Sequence, residues 1–205
     1  MVLSALPLFP LGSVLFPGGV LPLKIFEVRY LDMIGKCIKT GAPFGVVALT
    51  QGSEVRRPDN AEQFAKVGTL ALVESHSMPQ PGLRIIRCKA QQRFRVTRTE
   101  QLKHGLWIGD VERLEADVAI SVPADLQSAA LALQHLIDTL HARGVPDEDF
   151  PFDAPFAYDD CGWLSNRWCE LLPLATEFKQ RMMELDSPLM RLELVNDILT
   201  KQRVI

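Results

Sequence analysis

The sequence predicts an α+β protein, with a β-rich N-terminal half over residues 1–118 and a helical C-terminal half over residues 119–205. Two observations predict this division. In the first half, apolar residues stand in short runs between turn-forming residues, which is typical of strands, whereas in the second half they recur every three or four residues, which is typical of helices. Charge changes at the same place, because the first half carries a net charge of +4 and the second a net charge of −7.

The opening of the chain alternates short apolar runs with proline and glycine, and it predicts short strands over residues 6–11, 14–19 and 20–25. Proline cannot donate a hydrogen bond to a strand ladder, so these strands are expected at sheet edges or strand ends. The period then changes, because Tyr30 and Ile34 fall on one side of a helix over residues 27–39 that Gly41 ends.

Further strand signals follow at residues 44–49, 67–73, 83–88, 94–97 and 106–111. A polar connection is expected over residues 51–63. Several short strands with one early helix predict a barrel-like or highly curved mixed sheet rather than a doubly wound α/β fold.

The apolar pattern of residues 119–205 predicts a bundle of four helices packed on the β-rich half. The first helix starts near Pro123, because proline suits the first turn of a helix. Apolar stripes mark a second helix near residues 161–172 and a third near residues 178–185. Ser187 is expected to cap the fourth helix, with Pro188 at its first position.

The connection over residues 146–160 interleaves six carboxylates with four aromatic residues. It lacks the regular ligand spacing of a calcium loop. We expect the aromatic side chains to hold this loop against the protein while the carboxylates face water.

Several classes of function are not expected. The four cysteines are widely scattered without a CxxC pair, so we expect reduced, buried or half-buried thiols in a cytoplasmic protein. No apolar stretch approaches the roughly 20 residues of a membrane-spanning helix, so no membrane contact is expected. His135, Asp138 and His141 lack the spacing of a zinc-binding helix, and we predict no metal. Because no Gly-x-Ser-x-Gly elbow or paired serine nucleophile occurs, neither catalytic residues nor a cofactor is predicted.

Two stretches resemble one protein family. The run Pro7-Leu8-Phe9-Pro10-Leu11 is followed by Val14-Leu15-Phe16-Pro17-Gly18, by Leu21-Pro22-Leu23, and by Ile25-Phe26-Glu27 with Arg29-Tyr30 and Met33. This opening resembles that of the N-terminal domain of the Lon protease. Weaker matches are Gly68-Thr69, Arg93-Phe94-Arg95-Val96 and the closing helices, from Leu172-Pro173-Leu174 to Arg191-Leu192-Glu193. The resemblance covers essentially the whole chain.

The resemblance implies a six-stranded, barrel-like module of the PUA-like kind, a helical bundle after it, and a role in binding protein substrates. The nearest approach to a Walker A loop, over residues 18–24, lacks the second glycine and the following hydroxyl residue, and no length remains for a Ser-Lys protease domain. We therefore expect a stand-alone, non-catalytic recognition domain. Its expected partners are unfolded or tagged polypeptides in protein quality control, with a separate protease or chaperone as a candidate partner.

Five residues around the most specific motif form the candidate peptide-binding site: Phe16, Pro17, Phe26, Arg29 and Tyr30. The competing explanation is packing, because a junction between strand and helix needs such side chains in its core. Two routes are open for a peptide, which could add to an edge strand or place apolar side chains in a groove.

Binding of RNA or DNA is the alternative hypothesis. Basic residues crowd two adjacent predicted strands, and a local basic face is what phosphate binding needs. The residues are Arg84, Arg87, Arg93 and Arg95. The outer face of any half-buried hairpin has a similar pattern, so both explanations stay open here.

Overall fold

The computed structural model describes residues 2–54, 62–146 and 149–205 of the protein. The chain divides into two compact units, Met1–Ala116 and Asp117–Ile205. Strands dominate the first unit and helices the second.

The first unit is a six-stranded mixed sheet with one α-helix among its described residues. In chain order its elements are β1 (Val2–Leu11), β2 (Val20–Ile25), α1 (Val28–Thr40), β3 (Phe44–Gln51), β4 (Gln63–Gln80), β5 (Leu83–Gln101) and β6 (Trp107–Arg113). The strand order is β2-β5-β4-β3-β1-β6, and β6 also pairs with β5. The β1–β3 pair is parallel and the other pairs are antiparallel.

The long strand β5 gives the sheet its curvature. One edge of β5 pairs with β4, while the other edge pairs first with β2 and then with β6. The predicted α+β class and mixed sheet are confirmed. The sheet is not a closed barrel, because within the described residues β2 ends it as an edge strand that pairs with β5 alone.

Apolar side chains cover both faces of this sheet. Side chains alternate between the faces of a strand, so Phe9 and Val46 join the cluster that packs under α1, while Leu8 and Val47 join a second cluster. Gly68 lies where a Cβ atom would collide with the Val46 carbonyl oxygen and would stand 2.8 Å from the Phe94 ring. The glycine therefore allows the close packing of β3 against β4.

Two strand predictions were wrong in their bounds. Residues 14–19 form none of the strands; the chain turns at Pro17 and Gly18, and Gly18 has a φ of +77°. Residues 83–88 and 94–97 belong to one strand, β5, because the polar residues between them still pair with β4 through a register shift. The expected connection over 51–63 is bounded by the ends of β3 and β4, and residues 55–61 of it lie outside the described part of the chain.

The second unit contains the four predicted helices: α2 (Gln127–Ala142), α3 (Cys161–Leu171), α4 (Thr176–Glu184) and α5 (Pro188–Lys201). A short 3₁₀ turn, Ala124–Leu126, precedes α2, so the first helix begins slightly later than predicted. The cap of α5 is confirmed, because the Ser187 hydroxyl accepts a hydrogen bond from the Met190 N–H at 3.2 Å. Asp160 caps α3 in the same way through the Trp163 N–H at 2.7 Å.

Buried Arg191 joins α3, α4 and α5 of the second unit. Its guanidinium donates to both carboxylate oxygens of Asp117, at 2.6 and 3.3 Å, and to the Asn166 side chain at 2.9 Å. It also donates to the carbonyl oxygens of Met182 and Leu185, at 2.9 and 2.7 Å. The side chain of one residue on α5 thus satisfies acceptors on α3, on α4 and at the start of the unit.

The aromatic residues before α3 pack together as expected. Phe150 and Phe152 are buried. The Trp163 ring meets those of Phe152, Phe156 and Tyr158 at centroid distances of 5.5–6.1 Å. Residues 147–148 of this connection lie outside the described residues. The described part is held by ring packing, which explains why aromatic residues alternate with polar ones here.

The four cysteines are free and buried, as predicted: Cys37, Cys88, Cys161 and Cys169. Burial raises the pKa of each thiol, and it raises the pKa of Cys88 and of Cys169 to about 12. The reactive thiolate is therefore scarce in the folded protein.

We expect Cys88 and Cys169 to react with iodoacetamide at pH 8 about 1,000-fold more slowly in the folded protein than in urea. A thiol with a pKa of about 12 is ionised to about one part in 10,000 at that pH, whereas a thiol with the ordinary cysteine pKa of 9.0 is ionised to about one part in ten. Mass spectrometry of tryptic peptides over time measures this. If either cysteine is labelled in the folded protein as fast as it is in urea, that thiol is open to solvent.

Candidate functional site

A groove of about 430 Å³ runs along α1 in the first unit. One wall is α1 itself, and the facing wall is the turn between β5 and β6. The α1 wall contributes Val28, Asp32, Met33, Lys36, Cys37 and Thr40, the turn contributes Leu102, His104 and Leu106, and the start of β6 contributes Ile108. Pro7, Arg29, Ala42 and Pro43 complete the lining.

The groove is mainly apolar. Met33, Cys37 and Leu106 are buried at its base, whereas Val28 is 72% exposed. Its charged residues on the helix surface, Asp32 and Lys36, have opposite signs and stand one turn apart. Such a site suits apolar side chains and gives little preference for either sign of charge.

The local sequence explains how α1 forms its wall. Tyr30, Ile34 and Cys37 are buried in the core, which turns the adjoining side of the helix, with Val28, Asp32 and Lys36, toward the groove. Gly41 ends the helix with a φ of +67°, a conformation that favours glycine. The facing turn is closed by a hydrogen bond of 2.9 Å from the Leu102 N–H to the Leu106 carbonyl oxygen.

Arg29 ties the two walls together. Its Nη1 donates to the Gly105 carbonyl oxygen at 2.7 Å, and its Nη2 donates to Glu62 at 3.1 Å. Its Nε donates to Glu27 at 3.1 Å, and the Trp107 Nε1 donates to Glu62 at 2.7 Å. Because Gly105 belongs to the β5–β6 turn and Arg29 to α1, this network fixes the width of the groove.

The charge of Arg29 is well supported in its buried position. Burial alone would lower the pKa of Arg29, but the hydrogen bond to Glu62 and the neighbouring charges, including those of Glu62 and Glu27, together outweigh burial, and the net shift is upward. The guanidinium also lies 4.5 Å from the centre of the Tyr30 ring, which itself stacks on Phe9 at 3.9 Å. Burial raises the pKa of Tyr30, so its hydroxyl stays neutral.

The five predicted site residues do not form one surface. Phe16, Arg29 and Tyr30 are buried, Pro17 is half-buried, and Phe26 is 57% exposed. The structure brings Arg29 and Tyr30 together as the support of the groove, and Arg29 also lines it. Sequence reasoning missed Val28 and the β5–β6 turn. One feature of the sequence could have identified Val28 as a surface residue of the site, because it is apolar but lies off the buried stripe of α1.

The predicted basic face is dispersed. Arg87 forms an ion pair of 2.8 Å with Glu74, and Arg93 is 5% exposed. Arg84 donates to the Met78 sulfur at 3.5 Å. Arg95 stands opposite Glu112 in the β5–β6 ladder. A continuous positive surface is therefore missing from the described residues of this hairpin, and the nucleic-acid alternative is not favoured.

Neither a membrane-spanning helix nor a metal centre occurs among the described residues. No described helix has the length and apolar content required to cross a bilayer. Within residues 2–54, 62–146 and 149–205, no group of three or more histidine, cysteine, aspartate or glutamate side chains is arranged to hold a metal ion.

Comparison with known families gives one match over nearly the whole chain. Residues 5–201 match the family described as the ATP-dependent protease La (LON) substrate-binding domain. The match includes both units, so it covers the groove along α1 and the closing helices alike.

Individual relatives are longer proteins. The chain is 37% identical to Lon protease 1 of Bdellovibrio bacteriovorus over 91 residues, which are 44% of this chain and 11% of that protein. It is 28% identical to protein cereblon of Gallus gallus over 151 residues, which are 72% of this chain and 32% of that protein. The chain thus spans a minor part of each of these relatives.

Two solved structures have a similar fold. The Lon N-terminal domain protein from Xanthomonas campestris has a TM-score of 0.72 and 29% identity, over 94% of this chain and 97% of that one. The N-terminal domain of the Mycobacterium avium complex Lon protease has a TM-score of 0.58 and 14% identity, over 95% of this chain and 97% of that one. The second likeness shows the fold alone.

Proposed function

The chain belongs to the Lon substrate-binding domain family, as the motif at its start predicts, and from this premise we propose that it binds polypeptides without acting on them chemically. The observation that carries the proposal is the apolar groove along α1. A groove lined by apolar side chains, with one charge of each sign at its rim, favours apolar segments of varied sequence. Unfolded polypeptides expose such segments.

The expected affinity is modest. Burial of one apolar side chain contributes about 1.5–3 kcal/mol, and association opposes this with the loss of translational, rotational and side-chain freedom. A groove of about 430 Å³ has room for a few side chains rather than a folded partner. Modest affinity suits a module that holds many different segments in turn.

The wider role that we propose is in protein quality control, where the chain presents unfolded or tagged polypeptides to a separate protease or chaperone. This proposal rests on family membership. We likewise propose that the curved sheet is of the PUA-like kind and that the protein is cytoplasmic.

Changing Val28 to Asp is expected to weaken the binding of neutral peptides rich in leucine and phenylalanine by about tenfold or more. The new carboxylate would have to lose water beside an apolar ligand, and about 1.4 kcal/mol of such cost is tenfold in affinity. The helix should tolerate the change, because α1 has no acidic residue in its first turn and a negative charge there is stabilising by about 0.3–1 kcal/mol. Fluorescence anisotropy of labelled decapeptides measures the affinity.

The matched control is Val118→Asp, the same substitution at a valine that is 73% exposed in the second unit. This variant should bind as the wild type does. Equal affinities for Val28→Asp and Val118→Asp would remove the groove as the binding site, and the absence of binding to the wild type would remove the proposed function.

A further inference from the structure

The hairpin of β4 and β5 splits at its open end. The two strands stay paired from their connecting turn as far as Val67 and Arg95. Beyond that pair, residues 63–66 keep β3 as their neighbour, whereas residues 96–101 keep β6. No pairing joins these two segments within the part of the chain that the structure describes, so the strands diverge.

A cleft of about 350 Å³ occupies this divergence. Residues 62–66, residues 96–99 and Trp107 line it. Each strand has one described neighbour here, so one edge of each strand faces the cleft with N–H and C=O groups that belong to no described ladder. Strand edges of this kind accept a further extended chain by backbone hydrogen bonding.

Apolar and cationic side chains share the cleft. The rings of Phe64 and Trp107 meet edge to face with their centroids 5.4 Å apart, and Val96 beside them is buried. Lys66 and Arg98 are exposed, and neither forms an ion pair with any described residue; Asp110, which stands opposite Arg98 in the β5–β6 ladder, accepts a hydrogen bond from the Ala5 N–H at 3.1 Å. The cleft therefore offers an apolar base between two available positive charges.

The carboxylate in the lining is buried and hydrogen-bonded. Glu62 accepts from Arg29 at 3.1 Å and from the Trp107 Nε1 at 2.7 Å, and its side chain is 5% exposed. Arg29, which also pairs with Glu27 at 3.1 Å, holds the Glu62 carboxylate in the interior. Lys66 and Arg98 are the exposed charges in the lining of the cleft, and their sign favours anions.

We propose that this cleft binds an acidic polypeptide segment in extended form, as a strand added to the edge of β4 that pairs with no described strand. A polypeptide fits better than another anion, because alternating donors and acceptors along a strand edge match only another extended backbone. Acidic side chains of the segment pair with Lys66 and Arg98, and apolar ones contact Phe64 and Trp107. The cleft shares no lining residue with the groove along α1, so it is a second site.

The test uses an acetylated and amidated hexapeptide of alternating glutamate and valine, whose blocked ends contribute no charge. We expect it to bind the full chain, and we expect Lys66→Glu/Arg98→Glu to weaken that binding at least tenfold. A lysine–valine peptide of the same length should not bind. A glutamate–valine peptide with N-methylated amides at alternate residues should lose binding, because it cannot pair with a strand edge.

The matched control is Lys24→Glu/Lys103→Glu, which makes the same change in net charge at two exposed lysines outside both cavities. This variant and Val28→Asp should bind the hexapeptide as the wild type does, while circular dichroism confirms that all variants are folded. Three results would overturn the proposal: no binding to the wild type, equal loss in both double variants, or undiminished binding of the N-methylated peptide. None of these results bears on the binding of neutral peptides in the groove.

Discussion

Replacing Arg29 with methionine is expected to lower the free energy of unfolding of the first unit by about 3–5 kcal/mol. The Arg29 and Glu62 side chains are 4% and 5% exposed, so the substitution leaves a buried carboxylate without its cation. The Gly105 carbonyl oxygen loses its hydrogen bond as well. Breaking one side of a buried ion pair costs more than the pair contributes, because the remaining charge is neither solvated nor paired.

Hydrogen exchange of backbone amides, measured peptide by peptide, checks this prediction, because protection in β1 and β3 reports on the first unit and protection in α3 and α5 on the second. Arg95→Met makes the same chemical change at an exposed site and should cost no more than about 0.5 kcal/mol. The double variant Arg29→Met/Glu62→Gln should be less destabilised than the sum of its single variants. If Arg29→Met behaves like Arg95→Met, the network does not fix the groove.

Replacing Arg191 with methionine is expected to destabilise the second unit by a similar amount, about 3–5 kcal/mol. Arg191 is 1% exposed, and its loss removes the ion pair with Asp117 and the hydrogen bonds to two carbonyl oxygens. Lysine should restore only part of the stability, because an ammonium group cannot reproduce the planar fork that reaches several acceptors at once.

Urea unfolding followed by circular dichroism at 222 nm, a signal in which helices predominate, measures the loss. Arg181→Met, at an exposed position on α4, is the matched control and should lie within about 0.5 kcal/mol of the wild type. Equal urea midpoints for Arg191→Met and Arg181→Met would contradict the role assigned to Arg191. Full stability of an Arg191→Lys variant would contradict it as well.

Elements whose signals are local could be predicted from the sequence. The stripe of Tyr30, Ile34 and Cys37 and the stop at Gly41 define α1 within a few residues. Ser187 and Pro188 define the start of α5 equally well, because a cap is a contact between near neighbours. The extent of β5 could not be predicted, because its length depends on β2, β4 and β6, which pair with it from distant parts of the chain.

The groove along α1 was predicted only in part, because its residues also come from distant parts of the chain. Arg29 was identified from the motif, but its partners Glu62 and Gly105 are 33 and 76 residues away and no local pattern indicates them. The four predicted basic residues do not share one face because the pairing register of β5 shifts along the strand. Simple alternation along β5 places Arg93 beside Arg87 on the outside, whereas the pairing of β4 with β5 shifts register between Thr69 and Ala71, and Arg93 is buried.

The position of β1 has a consequence for biosynthesis. β1 lies between β3 and β6, and its partners are residues 45–48 and 107–112. During translation β1 leaves the ribosome before both of its neighbours, and the second of them is complete only when residue 113 has emerged. Because contacts this distant in sequence form slowly, the nascent chain must keep β1 from pairing elsewhere until then. The sheet of the first unit is therefore completed only after β6 has been synthesised, although β1 precedes every other strand of the sheet.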